Sequence, residues 1–145
     1  LIRVAVLEDL PALERLLADD VLGAGREMPG DPAYAAAFAA MSAQAGNTML
    51  VAEADGWVVG CLQLTLIPGL SRRGMLRAQI ESVRVTSDAR GQRIGEALVD
   101  EAISRAKAAG AGLVQLTTDL TREDAHRFYE RLGFVGSHLG MKLGL

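Results

Sequence analysis

The chain has 145 residues, 50% hydrophobic and 23% charged, which is one ordinary globular domain with enough apolar material for a core. Fifteen basic against 18 acidic residues leave a net charge of −3, which argues against a nucleic-acid backbone as partner. A single cysteine excludes an internal disulfide framework, and with two histidines a zinc site would have to be carboxylate-rich, so no metal is expected.

No apolar stretch approaches the roughly 18–20 residues of a membrane span, and no basic signal-peptide head is visible. The cytoplasm is therefore the expected compartment, with no membrane partner.

Residues 2–7 read as a short strand. Glu8, Asp9 and Pro11 suit a helix start, and Leu10, Leu13, Leu16 and Leu17 carry helical spacing to about Asp20. Residues 21–32 hold Gly23, Gly25, Pro29, Gly30 and Pro32 and read as a loop; 34–44 is alanine-rich and helical. A β-rich run over 48–53, the Asp55-Gly56 turn and a strand over 57–66 make a hairpin. A further strand is expected over 75–85.

A helix over 95–109 buries Leu98, Val99, Ala102, Ile103 and Ala106, and Gly110 and Gly112 stop it. Residues 113–118 form the parallel partner of a crossover unit. Thr121 with Asp124 reads as a capping box for a last helix carrying Ala125, Phe128, Tyr129 and Leu132 on one face. Glu123 and Arg127 are placed as a surface pair on it, and His126 on its solvated side. Residues 134–145 are expected to add one or two closing strands. The expected fold is thus α/β (α+β): a mixed, mostly antiparallel sheet of six or seven strands with a splayed parallel pair, flanked by about four helices, in a single domain over 1–145.

The strand over 75–85 contains a register fault. Leu76, Ala78 and Ile80 share one parity, but the next apolar pair, Val83 and Val85, has the other. A period-2 strand changes parity only by inserting a residue, which predicts a β-bulge near Glu81-Ser82. Two readings follow: an edge strand that twists, or a backbone donor prepared for a substrate carbonyl.

Behind that strand lies Arg90-Gly91-Gln92-Arg93-Ile94-Gly95-Glu96 and then a helix. A helix start offers unpaired N–H groups and about half a positive charge. With two glycines and two arginines, this turn suits a phosphate or pyrophosphate. It is neither the dinucleotide G-x-G-x-x-G pattern nor a P-loop. The alternative reading is a plain turn with surface arginines.

These residues resemble one family. Arg90-Gly91-Gln92-Arg93-Ile94-Gly95 is similar to the Q/R-x-x-G-x-G/A acyl-CoA loop of the GNAT superfamily of N-acetyltransferases. Some 30 residues on, the stretch from Asp124 through Ala125, Phe128 and Tyr129 to Gly133-Phe134 resembles that family's A-x-x-F-Y-x-x-x-G-F signature. Two positions depart: Arg93 stands where Gly is commonest, and Arg122 where many members carry Asn.

The resemblance implies direct acetyl transfer from acetyl-CoA to a primary amine of a small molecule or peptide. It implies a pantetheine arm paired with the backbone of Val83 and Val85. It places the pyrophosphate at Arg90, Gly91, Gln92, Arg93, Ile94, Gly95 and Glu96, with Arg122 as a further phosphate contact or a solvent-facing residue. Tyr129 is the implied general acid for the leaving thiolate; the helix pattern alone reads it as a core residue beside Phe128. An amine of pKa near 10.4 is about 0.1% neutral near pH 7.4, a handicap of roughly 4 kcal/mol, so a base is required. Glu81, beside the bulge, is the first candidate and Asp119 the second; otherwise Glu81 is a solvated strand charge.

Cys61, among Val59, Leu62 and Leu64, reads as a buried thiol. Gln63, Thr65, Arg77 and Gln79 are expected on the acceptor side. A homodimer through the later strands is compatible with the pattern. The competing functional class is a non-catalytic acyl-CoA-binding regulatory module.

Overall fold

The computed structural model describes residues 1–145, the side chain of Val21 excepted. Two compact units are present, Leu1–Gln115 and Leu116–Leu145.

The first unit is built on a five-stranded sheet in the order β1-β2-β3-β4-β5: Ile2–Val4, Asn47–Ala54, Trp57–Ile67, Arg77–Val85 and Leu113–Gln115. The first three pairings are antiparallel and β4–β5 is parallel. Helix α1 (Leu10–Ala18) is followed by a single turn, α2 (Val21–Ala24), inside the segment expected as a loop; α3 spans Ala33–Ala43. The turn α4 (Ser71–Gly74) links β3 to β4, and α5 (Ile94–Ala108) crosses from β4 to β5.

Alternation along the strands sorts the core into two layers. Gly60 faces α5, where a Cβ would meet Ile94 and Leu98 at 3.1 Å and the Arg84 carbonyl at 3.0 Å. Leu62 and Leu64 share its parity and are buried, as are Leu98, Val99, Ala102 and Ala106 of α5. The opposite face buries Val51 and Cys61 under Leu13 and Leu16 of α1 with Ala5, and Phe38 of α3 packs against this cluster. The apolar periods of α1 and α5 therefore cover opposite faces of one sheet.

The edge strand β1 is tied down by charge. Arg3 donates to both oxygens of Asp9, at 2.7 and 3.0 Å, and to Glu53 at 2.9 Å. Asp9 also accepts from the Val6 amide at 2.8 Å.

The second unit contains α6 (Glu123–Arg131). The sheet has five strands rather than six or seven, and six helices are present among the described residues rather than about four. Residues 134–145 form no strand: they carry Gly136, Gly140 and Gly144, and Val135, Leu139, Met141 and Leu143 are exposed. Apolar alternation makes a segment competent to pair, but a strand exists only where a partner backbone completes its ladder.

Thr121 does not cap α6. Its amide and hydroxyl donate to Asp119 Oδ1 at 2.9 and 2.5 Å, forming a local turn, and Arg122 occupies the cap position without a side-chain bond. His126 is not simply solvated: its Nε2 lies 2.8 Å from the Asp119 carbonyl. Arg127 pairs with Asp124, one turn back, in place of Glu123. No helix of the described residues is long and apolar enough to cross a membrane.

Two outcomes test this packing. Hydrogen bonds, first from Arg3, hold the Asp9 carboxyl below its ordinary range against the opposing effect of burial. A carboxyl whose folded-state pKa is depressed contributes stability that is complete above about pH 4 and lost as pH falls through its folded value. Urea unfolding of Asp9→Asn is expected to show about 1–2 kcal/mol less stability at pH 7 and a flatter acid limb than the parent; parallel limbs would contradict this. Gly60→Ala, which crowds α5 against β3, is expected to cost about 1–3 kcal/mol in the same assay.

Candidate active site

The bulge forms where the parity change places it. Cys61 pairs with Arg84 and Gln63 with Glu81, so the single residue Leu62 stands opposite two, Ser82 and Val83. Ser82 is left-handed, with φ of 53°. The insertion turns Arg84 onto the α1 face beside Cys61 and sets Val85 opposite Gly60 on the α5 face. The parallel ladder to β5 covers only Arg77, Ala78 and Gln79. From Ile80 to Val85, β4 keeps its β3 ladder and runs past the end of β5. The parallel ladder thus ends at Gln79, before the bulge is reached.

Beyond β4 the chain makes a 3-10 turn at Ser87–Ala89 and enters α5 through Gly91, φ 83°, and Arg93, φ 61°. A side chain at either position pays for a left-handed backbone, about 1–2 kcal/mol for a non-glycine residue. Arg93 accepts that strain and pairs with Glu96 at 2.7 and 3.0 Å. The Arg93 side chain, expected over the phosphates, thus lies along the first turn of α5 in an ion pair with Glu96. Gly91 and Arg93 bend the chain so that α5 opens with Ile94, Gly95 and Glu96, whose N–H groups precede the first intrahelical bond, from Ala97 to Arg93 at 3.1 Å. Arg90 is exposed and donates to the Asp19 carbonyl at 3.5 Å.

Glu81 is exposed, one residue before the bulge. Its carboxylate accepts from Gln79, whose own carbonyl accepts from Gln115 at 3.0 Å. Arg77 donates to Gln115 at 3.4 Å, and Gln63 donates to Asn47 at 3.0 Å. Thr65 pairs with Gln79 in the ladder and Gln63 with Glu81. The four residues expected on the acceptor side thus share one polar sheet face with Glu81, joined by Asn47 and Gln115. Those two are spaced at strand parity with the others, which is the signal that identifies them.

In the second unit, Tyr129 makes edge-to-face contacts with Phe128 and Phe134, centroids 5.0 and 5.8 Å apart. Arg122 is exposed at the start of α6. Asp119 is engaged by Thr121, whose hydroxyl and amide lower its pKa. Held ionised by a local turn, it is a poorer proton acceptor than an uncommitted carboxylate.

Three features escape the sequence patterns. The Cys61 thiol donates to the Ser82 carbonyl at 3.4 Å. Arg84 donates to the Val83 carbonyl at 3.0 Å. Its Nε also lies 2.9 Å from Asp20 Oδ2, with both side chains largely buried. An arginine between two valines on a strand, facing the core side, is the signal that a buried partner exists.

A family model described as the acetyltransferase (GNAT) family matches residues 11–134. The aminoalkylphosphonate N-acetyltransferase of Salmonella typhimurium is 39% identical over 84 residues, which are 58% of this chain and 54% of that protein. The chain thus spans about half the length of that curated relative. Among solved structures, one titled a transcriptional regulator from Bacillus halodurans C-125 is 47% identical, with a TM-score of 0.97, covering 100% of this chain and 99% of that one. A putative acetyltransferase from Agrobacterium tumefaciens is 35% identical, with a TM-score of 0.90 and the same coverage. With the family model spanning most of its length, and the bulged strand and helix-entry loop in place, the chain belongs to the acetyltransferase (GNAT) family.

Proposed function

We propose that the chain is a single acetyltransferase domain that transfers an acetyl group directly from acetyl-CoA to a primary amine of a hydrophilic small molecule or peptide. The observation that carries this reading is the bulge at Ser82-Val83 on a strand that outruns its parallel neighbour. A slender amide-bearing arm can continue the sheet there, using the backbone of Val83 and Val85 as a partner strand.

The residues fit acetyl-CoA as co-substrate. The Val83 N–H is assigned to the thioester oxygen, where one preorganised donor is worth roughly 3–4 kcal/mol as negative charge grows. The first-turn amides of α5, at Ile94, Gly95 and Glu96, are assigned to the pyrophosphate, with Gly91 and Gln92 in the turn before them. Arg90 and Arg122 are the cations assigned to the phosphates. Arg93 is assigned to the pyrophosphate through its backbone amide, its guanidinium being paired with Glu96.

Glu81 is the proposed base. It lies on the polar face beside the bulge, and its hydrogen bond from Gln79 fixes its orientation. It takes the proton of the incoming ammonium, directly or through one water, so that the neutral amine attacks the acetyl carbonyl. Tyr129 is proposed to donate its phenolic proton to the departing thiolate and to be reprotonated, through water, by the proton the attacking nitrogen sheds on becoming an amide; its ring is braced by Phe128 and Phe134. The role rests on the family signature Tyr129 occupies. The amide-lined floor around Glu81 suits an acceptor rich in hydrogen-bonding groups, and the Salmonella relative is named for such a class, aminoalkylphosphonates.

A second reading is an acyl-CoA-binding regulatory module without turnover. The Bacillus halodurans structure favours it, being titled a transcriptional regulator at 47% identity.

Thiol release from acetyl-CoA across a panel of primary amines separates the two. Release with at least one amine is expected; tight acetyl-CoA binding with none would favour the regulator. Tyr129→Phe is expected to lower kcat about 100-fold or more while calorimetric acetyl-CoA affinity changes by less than about threefold, consistent with the usual worth of a proton donor. Glu81→Gln is expected to lose about 10- to 100-fold in kcat/KM near pH 7 and to recover part of that loss at higher pH, where more of the amine is neutral. An unchanged kcat in either variant removes the role assigned to that residue.

A further inference from the structure

A bulge is an interruption, and its carbonyls need partners that the ladder no longer supplies. Here two side chains supply them from the same face. Cys61 reaches the Ser82 carbonyl at 3.4 Å, and Arg84 reaches the Val83 carbonyl at 3.0 Å. Cys61 and Arg84 are themselves ladder partners, so the two donors flank the inserted residue from adjacent strands.

Both donors are held. Cys61 is fully buried within the cluster of Ala5, Leu13, Leu16 and Val51. Burial pushes its thiol up to about 12, so it keeps its hydrogen at any physiological pH. Arg84 faces Asp20, and the approach of Nε to Oδ2 at 2.9 Å is an ion pair rather than an aligned hydrogen bond. The other oxygen of Asp20 caps the amide of Gly23 at the start of α2. One carboxylate therefore joins the α1–α2 corner to the strand that carries the bulge.

We propose that Cys61 and Arg84 are positioning residues for the acetyl-transfer site, clamping the Ser82 and Val83 carbonyls so that the bulge amides keep one orientation, with Asp20 as the brace that fixes Arg84. The inference rests on the proposed acetyl transfer for its catalytic consequence, while the clamp itself is a property of the unliganded protein. A peptide plane is rigid, so fixing the carbonyl of Ser82 fixes the N–H of Val83 on the same plane. Fixing the carbonyl of Val83 does the same for the amide of Arg84. An oxyanion donor misplaced by a fraction of an ångström loses much of its effect.

The test compares Cys61→Ala, Cys61→Ser, Asp20→Asn and Arg84→Met by amide NMR of the ligand-free protein and by steady-state kinetics. Cys61→Ala is expected to shift the amide resonances of Val83 and Arg84 and to lower kcat about five- to tenfold, the size of one hydrogen bond. The KM for acetyl-CoA should move less than about threefold, because the pyrophosphate amides of α5 are untouched. Cys61→Ser restores a donor of similar size and is expected to recover kcat to within about twofold; simple packing loss would leave Ser no better than Ala. Asp20→Asn keeps the volume and the cap on Gly23 but removes the charge, and is expected to shift the same amides and lower kcat about threefold or more. It serves as the fold-preserving variant if Arg84→Met, which strands a buried carboxylate, unfolds. Superposable amide spectra in Cys61→Ala and Asp20→Asn would overturn the clamp. If the parent acetylates no amine, the proposed function fails, and the amide shifts still decide the clamp.

Discussion

The site depends on one inserted residue. At Ser82-Val83 the β4 backbone carries two residues against Leu62, and this single offset does three things at once. It reverses which face receives the side chains that follow, putting Arg84 toward α1 and Val85 toward α5. It interrupts the β3–β4 ladder, and the Ser82 and Val83 carbonyls take their hydrogen bonds from the Cys61 and Arg84 side chains. It also comes just beyond Gln79, where the ladder with β5 stops. A straight, fully paired β4 would offer none of these, whatever side chains it carried.

Around that offset the fold supplies support from both layers. On the α5 side, Gly60 lets the helix approach until its Ile94 and Leu98 side chains lie 3.1 Å from where a Cβ would stand. Close packing there fixes the helix start, and with it the amides after Arg93, against the strand that bears the bulge. On the α1 side, the buried thiol of Cys61 and the Arg84–Asp20 pair occupy the place where the ladder is broken. The polar floor from Asn47 to Gln115 shares the α1-side parity but extends away from the apolar cluster, so one face of the sheet is core at one end and hydrophilic at the other.

Much of this was legible in the residues. The parity change between Ile80 and Val83 is a sharp signal because side chains alternate strictly along a strand, and only an insertion reconciles the two halves. The helix-entry loop is legible for a similar reason: Gly91 and the helix start form a local pattern with a local cause. What was not legible depends on partners distant in the chain. Residues 134–145 have strand-like composition, but no local rule says whether a neighbouring backbone completes the ladder. Thr121 and Asp124 fit a capping box, yet Asp119 two residues earlier competes for the same hydroxyl and wins. The Arg84–Asp20 pair joins residues 64 positions apart, and the sequence shows only that an arginine sits where a buried side chain belongs. The role of Tyr129 is of a third kind: helix spacing explains it as packing, and the family signature alone distinguishes it from its neighbour Phe128.

The most direct measurement is a crystal structure of the protein with acetyl-CoA. The pantetheine arm is expected alongside β4, with the thioester oxygen within about 3.2 Å of the Val83 nitrogen and the pyrophosphate over the amides of Ile94, Gly95 and Glu96. A thioester bound elsewhere, with the bulge amides making no contact to it, would contradict the account at its foundation.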